Sequence, residues 1–239
     1  VPFDTYSPVP QAMTSEDMDM VLEQHVAAVR RADKAGFDMI EMHAAHGYLL
    51  SSFITPVLNQ RDDEYGGSLE NRLRYPVAVC RAMRAAWPQE KPMSVRISAH
   101  DWMGDDGVTE QDALLIAQAF IDAGADIINV STGQTSHSAK PQPGRMFQTP
   151  LSDIIRNDGD IPTIAVGNIY ETDHVNSIIA AGRADLVCLA RPHLADPNWT
   201  LHAAAELGYQ GPGAIEQHQY FLGYRQAHTL AEREREATA

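Results

Sequence analysis

Amphipathic stretches alternate with short apolar runs along most of this chain. Val21, Leu22, Val26 and Val29 recur at helical spacing behind Thr14 or Ser15, with Glu16 and Asp17 in the first turn. That pattern predicts a capped helix, ended by Gly36. Phe37–Met42 reads as the first strand. Ser68 then caps a helix carrying Glu70 that runs to about Trp87, where Pro88 stops it, and Pro92–Ser98 is the second strand. Thr109 with Asp112 has capping-box spacing and opens a helix ending near Gly124; Asp126–Val130 is the third strand. A helix at Leu151–Asn157 precedes the fourth strand, Pro162–Val166. A helix at Glu171–Ala181, closed by Gly182, precedes the fifth, Ala184–Leu189. Pro197–Leu207 is the helix after it. The first dozen residues read as loop. Two long polar loops are predicted at residues 49–67 and 132–149, and a charged tail, 232–239, is predicted to fray.

Regular alternation of helix and strand with short connections requires parallel strands and right-handed crossovers. An open doubly wound sheet and part of a (β/α)8 barrel both satisfy it. The doubly wound fold places phosphate-binding glycines after its first strand. Here the glycine-rich turns follow the last two strands, as in barrels, and a barrel is favoured. A closed barrel has eight strands, of which five are predicted. Each predicted strand runs into polar or glycine residues: His43 to Tyr48, Arg96 and Ser98, Ser131 to Gly133, Gly167 with Asn168, and Ala190 with Arg191. Barrels gather their chemistry at those C-terminal strand ends.

A length of 239 residues with 44% hydrophobic content suits one α/β domain, residues 1–239. The net charge of −14 would repel a nucleic-acid backbone, so no such partner is expected. Cys80 and Cys188 are expected to be buried thiols, and two cysteines in a chain of this size fit a reducing cytoplasm. Neither a signal peptide nor a membrane span is predicted.

Two histidines three residues apart at a strand end, His43 and His46, followed by Tyr48, point to a site rather than to structural imidazoles. A metal would use the same side chains, but no third ligand stands out and no metal is expected. The run His43-Ala44-Ala45-His46-Gly47-Tyr48-Leu49-Leu50, then Asn59-Gln60-Arg61-Asp62-Asp63-Glu64-Tyr65-Gly66-Gly67-Ser68-Leu69-Glu70-Asn71-Arg72, resembles the old yellow enzyme family of flavin-dependent ene-reductases. The resemblance continues through Val95–Ser98, Val130–Gly133, Ala165–Asn168 and Gly182–Leu186. Met93–Trp102 and Ala190–Pro197 are most similar to the reductase part of bifunctional salicylyl-CoA 5-hydroxylases and anthraniloyl-CoA monooxygenase/reductases, in which an FAD monooxygenase domain precedes the barrel.

The resemblance implies that this chain corresponds to the last five βα units of a TIM barrel. It implies FMN as cofactor, NADH or NADPH as hydride donor, and an enone or CoA thioester from aromatic degradation as substrate. His43 and His46 would bind the oxygen of an activating carbonyl or phenolate. Tyr48 would deliver the proton. Arg96 would face the flavin N1/C2=O edge. Ser131 and Gly133 would also contact the cofactor, and Gly167, Asn168, Ala190 and Arg191 would hold its phosphate. Arg145 would reach the substrate, as a CoA phosphate contact. Arg61, Asp62, Glu64, Glu70, Asn71 and Arg72 read as structural ties between the strand-end loop and the next helix. An incomplete barrel unable to act alone is the competing expectation, with homo-oligomerisation as a further one.

Overall fold

The computed structural model describes residues 2–4, 6–214 and 217–238. They fall into two compact units, the first comprising residues 1–169 and 175–188 and the second residues 170–174 and 189–239. In order, the elements are α1 (Ser15–Lys34), β1 (Ile40–Ala44), α2 (Leu49–Ile54), α3 (Leu69–Ala86), β2 (Met93–Ser98), α4 (Glu110–Asp122) and β3 (Ile127–Ser131). There follow α5 (Thr149–Asn157), β4 (Thr163–Ala165), α6 (Thr172–Ala180), β5 (Leu186–Val187), α7 (Arg191–Ala195), α8 (Trp199–Glu206) and α9 (Phe221–Thr238).

Three helix starts, those of α1, α3 and α4, are where the sequence put them. Thr14 accepts from the Asp17 amide at 3.2 Å while Asp17 accepts from the Thr14 amide at 2.9 Å, and Thr109 with Asp112 repeats the box. Ser68 accepts from the Asn71 amide. Each reciprocal pair satisfies N–H groups that a helix start leaves unpaired.

The five strands form one parallel sheet in sequential order, β1-β2-β3-β4-β5. Because strand side chains alternate between faces, the register sorts them cleanly. Met42 and Ala44, Val95 and Ile97, and Ile128 and Val130 lie on one face, all buried, in a core with Leu50, Val79, Trp87, Ile116 and Phe120. The opposite face carries Glu41, His43, Ser94, Arg96, Ser98, Asn129 and Ser131. It is stitched by the Glu41 carboxylate, which accepts from Ser94 Oγ and from Asn129 Nδ2, both at 2.9 Å. An inner face this polar is unusual for a packing surface and suits one that meets a ligand.

Four expectations are corrected. The first strand spans Ile40–Ala44 and leaves Phe37 exposed, so His43 lies within the strand. The loop at 49–67 contains α2, a six-residue helix too short to show a helical period. The charged tail is helical through Thr238. It is part of α9, whose Arg235 donates to the carbonyls of Ala205 and Glu206 at 2.9 and 2.5 Å. Cys80 is buried as expected, whereas Cys188, just beyond the two-residue β5, is only half-buried.

Candidate active site

The ends of β1, β2 and β3 bring five of the sequence-predicted residues together. His43 pairs in register with Arg96 across β1 and β2. Its ring centroid lies 5.1 Å from that of His46 and 5.5 Å from that of Tyr48. His46 Nε2 is 2.8 Å from Ser131 Oγ, and Arg96 Nη2 donates to the same oxygen at 3.4 Å.

The backbone that aims these side chains is tightly held. His46 sits at φ +64°, left-handed backbone that a non-glycine residue adopts only when its surroundings impose it. Its N–H donates to Ser98 Oγ at 2.9 Å, and Ser98 Oγ donates in turn to the Gly133 carbonyl at 3.2 Å. Gly47 follows at φ +72°, where a Cβ would come within 3.1 Å of the Gln134 carbonyl. Only glycine fits between the β1 turn and the loop after β3. Tyr48 is the residue before α2; its carbonyl accepts from the Ser52 amide, and the residue is 62% exposed, open to a ligand.

Burial and the nearby Arg96 charge both lower the proton affinity of the imidazoles. His46 is brought down to about 4, chiefly by burial, then by Arg96 and His43. His43 is lowered for the same first two reasons, with Glu41 opposing. Near neutral pH both rings are uncharged, each with one N–H donor and one acceptor nitrogen. The Arg96 Nε–H is buried with no hydrogen-bond partner among the described residues. A buried, unsatisfied cationic donor on a polar sheet face fits an electron-rich group such as the flavin N1/C2=O edge.

The remaining expected residues are placed as follows. Gly133, at φ +64°, donates its N–H to the His100 carbonyl, with Trp102 packed against it. Gly167 is at φ +110°, and a Cβ there would meet Gln148 Nε2 at 1.9 Å. Asn168 donates from its side chain to the Gly144 carbonyl at 2.7 Å, tying the loop after β3 to the end of β4. Arg145 is exposed in that loop. Ala190 and Arg191 begin α7, within the second unit, and both are exposed. Arg61 and Arg72 are structural ties: Arg61 donates to the Met13 carbonyl and pairs with Asp63, while Arg72 donates to the carbonyls of Ile54 and Gly67.

Two organising residues escaped sequence reasoning. Gln148 is buried; its Oε1 accepts from Thr132 Oγ1 at 2.6 Å and its Nε2 donates to the Val166 carbonyl at 2.8 Å, joining the ends of β3 and β4. Asp101 is fully buried and accepts from Thr55 Oγ1, Thr135 Oγ1 and the Val108 amide at 2.6, 2.5 and 2.9 Å. Only the run of polar residues after each strand hinted at such clamps.

A family model described as the NADH:flavin oxidoreductase / NADH oxidase family matches residues 3–210. The chain is 42% identical over 203 residues to an NADPH dehydrogenase of Clostridium acetobutylicum, covering 84% of this chain and 59% of that protein. It is 40% identical over 226 residues to an NADPH dehydrogenase of Geobacillus thermodenitrificans, covering 94% and 64%. The chain thus spans about three-fifths of the length of these curated relatives. Among solved structures, a 2-naphthoyl-CoA reductase in complex with 2-naphthoyl-CoA superposes with TM-score 0.76 at 27% identity, over 87% of this chain and 32% of that one. An old yellow enzyme homologue from Zymomonas mobilis superposes with TM-score 0.67 at 28% identity, over 81% and 54%.

Proposed function

The chain belongs to the NADH:flavin oxidoreductase / NADH oxidase family, and from that premise we propose that it is an FMN-dependent, NAD(P)H-using reductase of activated carbon–carbon double bonds. The observation that carries this reading is the strand-end cluster: two uncharged imidazoles, an exposed tyrosine and a cation with an unsatisfied N–H. The chemistry FMN supplies when bound is hydride transfer, from NADH or NADPH and on to an electron-poor alkene carbon.

The chain's own residues do the rest. His43 and His46 offer N–H groups to the substrate's carbonyl or phenolate oxygen, drawing electron density from the conjugated alkene as negative charge develops there. Tyr48, beside His43, gives its proton to the carbon next to that carbonyl. Arg96 keeps positive charge under the site. By the resemblance alone, Gly167 and Asn168 are assigned to the FMN phosphate and Gly133 to the cofactor's edge, and the resemblance gives Ala190 and Arg191 of the second unit a phosphate role of their own.

The substrate class we favour is a dearomatised aryl-CoA thioester. The superposition on a 2-naphthoyl-CoA reductase supports it, as do Lys140 and Arg145 in the loop after β3, which carry charge suited to CoA phosphates. An FAD monooxygenase domain on the same polypeptide, the barrel strands that precede β1, self-association and a cytoplasmic location belong to the same reading. Among the described residues no helix is long and apolar enough to cross a membrane.

The open order of the sheet, in which β1 and β5 are each paired on one side only among the described residues, favours a second reading. In it this stretch is one part of a barrel and acts only when its other part is present. One experiment addresses both. FMN binding and enone reduction are measured with this chain, and with the longer polypeptide, in wild type and in His43→Ala/His46→Ala. Activity in either form that the double variant abolishes supports the main reading. Reduction undiminished in the double variant overturns it, and activity confined to the longer form establishes the second.

A further inference from the structure

The ring of His46 is the end of a chain of groups whose donor roles determine one another. Arg96 Nη2 lies 3.4 Å from Ser131 Oγ, and a guanidinium can only donate. The Ser131 oxygen therefore accepts from Arg96, and its single proton goes elsewhere. Two acceptors compete for it, His46 Nε2 at 2.8 Å and Gln148 Oε1 at 3.3 Å. The orientation of the Gln148 amide is not free, because its Nε2 must be the atom facing the Val166 carbonyl. Its Oε1 already accepts from Thr132 Oγ1 at 2.6 Å. The alternative, in which Ser131 gives its proton to Gln148 and accepts from a His46 Nε2–H, relies on an O–H···O contact of 3.3 Å, beyond the usual range, whereas 2.8 Å suits a hydroxyl donating to His46. The guanidinium charge also favours a ring nitrogen that turns a lone pair, not an N–H, toward that side.

We propose that Ser131 is a positioning residue: its hydroxyl, polarised by Arg96, donates to His46 Nε2 and fixes the ring as the Nδ1–H tautomer, so that His46 offers an N–H and not a lone pair to a ligand oxygen. This deepens the function proposed above and rests on it for the identity of the ligand. An uncharged imidazole has a single ring proton, so a hydrogen bond at one nitrogen decides what the other can do. With Nδ1 as acceptor, His46 would face a carbonyl lone pair to lone pair and oppose the binding that His43 favours. Ser131 thereby acts through His46.

The test is nitrogen-15 NMR of the imidazole of His46 in the full chain near neutral pH, with no cofactor required. Wild type is expected to show a protonated Nδ1 and a bare Nε2. Ser131→Ala should revert to Nε2–H, the form imidazole prefers in water, and Ser131→Thr, which keeps the hydroxyl, should hold Nδ1–H. Nε2–H in wild type overturns the proposal, as does a tautomer that Ser131→Ala leaves unchanged; if that variant does not fold, the wild-type spectrum decides. Phenol, used as an oxygen ligand, should bind roughly five- to tenfold more weakly to Ser131→Ala, the loss of about one hydrogen bond. Unchanged affinity counts against the proposal. Absence of FMN binding alongside an intact Nδ1–H would overturn the flavin reading and leave this one standing.

Discussion

Removing the Asp101 carboxylate should weaken the site's scaffold more than changing any single catalytic candidate. Asp101 is fully buried after β2 and accepts three hydrogen bonds, from Thr55 beyond α2, from Thr135 after β3 and from the Val108 amide. It therefore joins three loops that bear the site. In Asp101→Ala the Thr135 hydroxyl can turn to the Gly133 carbonyl, already 3.5 Å away, and recover part of its loss. Among the described residues the Thr55 hydroxyl and the Val108 N–H donate only to Asp101, and each stranded buried donor costs about 1–3 kcal/mol. Relief of the carboxylate's own desolvation offsets some of this. The net expectation is a loss of about 3 kcal/mol, with Asp101→Asn, which keeps one acceptor and the shape, losing about half as much. Urea unfolding followed by circular dichroism, extrapolated linearly to water, measures both. An alanine variant within about 1 kcal/mol of wild type at unchanged slope would refute the claim that this carboxylate clamps the loops.

Other expectations follow from the same contacts. The folded-state proton affinity of His46 is lowered to about 4, whereas an unfolded imidazole titrates near 6.5. As pH falls below about 6.5 the unfolded chain takes the proton first, so stability should decline from there until pH reaches about 4 and level off below; a flat profile in wild type, or the same slope in His46→Gln, would contradict it. Gly167→Ala would place a methyl against Gln148 at a backbone φ of +110°, so a loss of about 2–4 kcal/mol is expected by urea unfolding, and Gln148→Ala in the same chain should restore only part of it. Tyr48→Phe should leave phenol binding within a factor of about two while lowering enone reduction by about 10²-fold or more; equal losses in both would mean that Tyr48 binds and does not donate.

Much of the molecule was legible because its signals are local. Thr14, Ser68 and Thr109 announce their helices through side-chain acceptors three residues from the N–H groups they satisfy. The strand-end rule located His43, His46, Arg96 and Ser131, and parallel register then brought them together. The strand boundaries were harder. Met39 to Met42 is apolar enough to read as a buried strand end, yet the ladder with β2 runs on to Ala44 and draws His43 into the sheet. α2 and α9 were missed for opposite reasons. α2 is too short for periodicity to show, and α9 is so rich in charge that its apolar stripe is diluted, its last turn held instead by Arg235. Gln148 and Asp101 were invisible because their roles depend on contacts between loops distant in sequence, which no local pattern encodes.

The central claim is that the ends of β1 to β3 form a flavin-linked site for an electron-rich oxygen. Its most direct test is the visible absorption spectrum of the purified chain titrated with FMN, then with phenol, in wild type and in His43→Ala/His46→Ala. The account predicts a protein-perturbed flavin spectrum that phenol shifts further in wild type, with the phenol response absent from the double variant. A spectrum identical to free FMN throughout, or a phenol response that survives loss of both imidazoles, would contradict it.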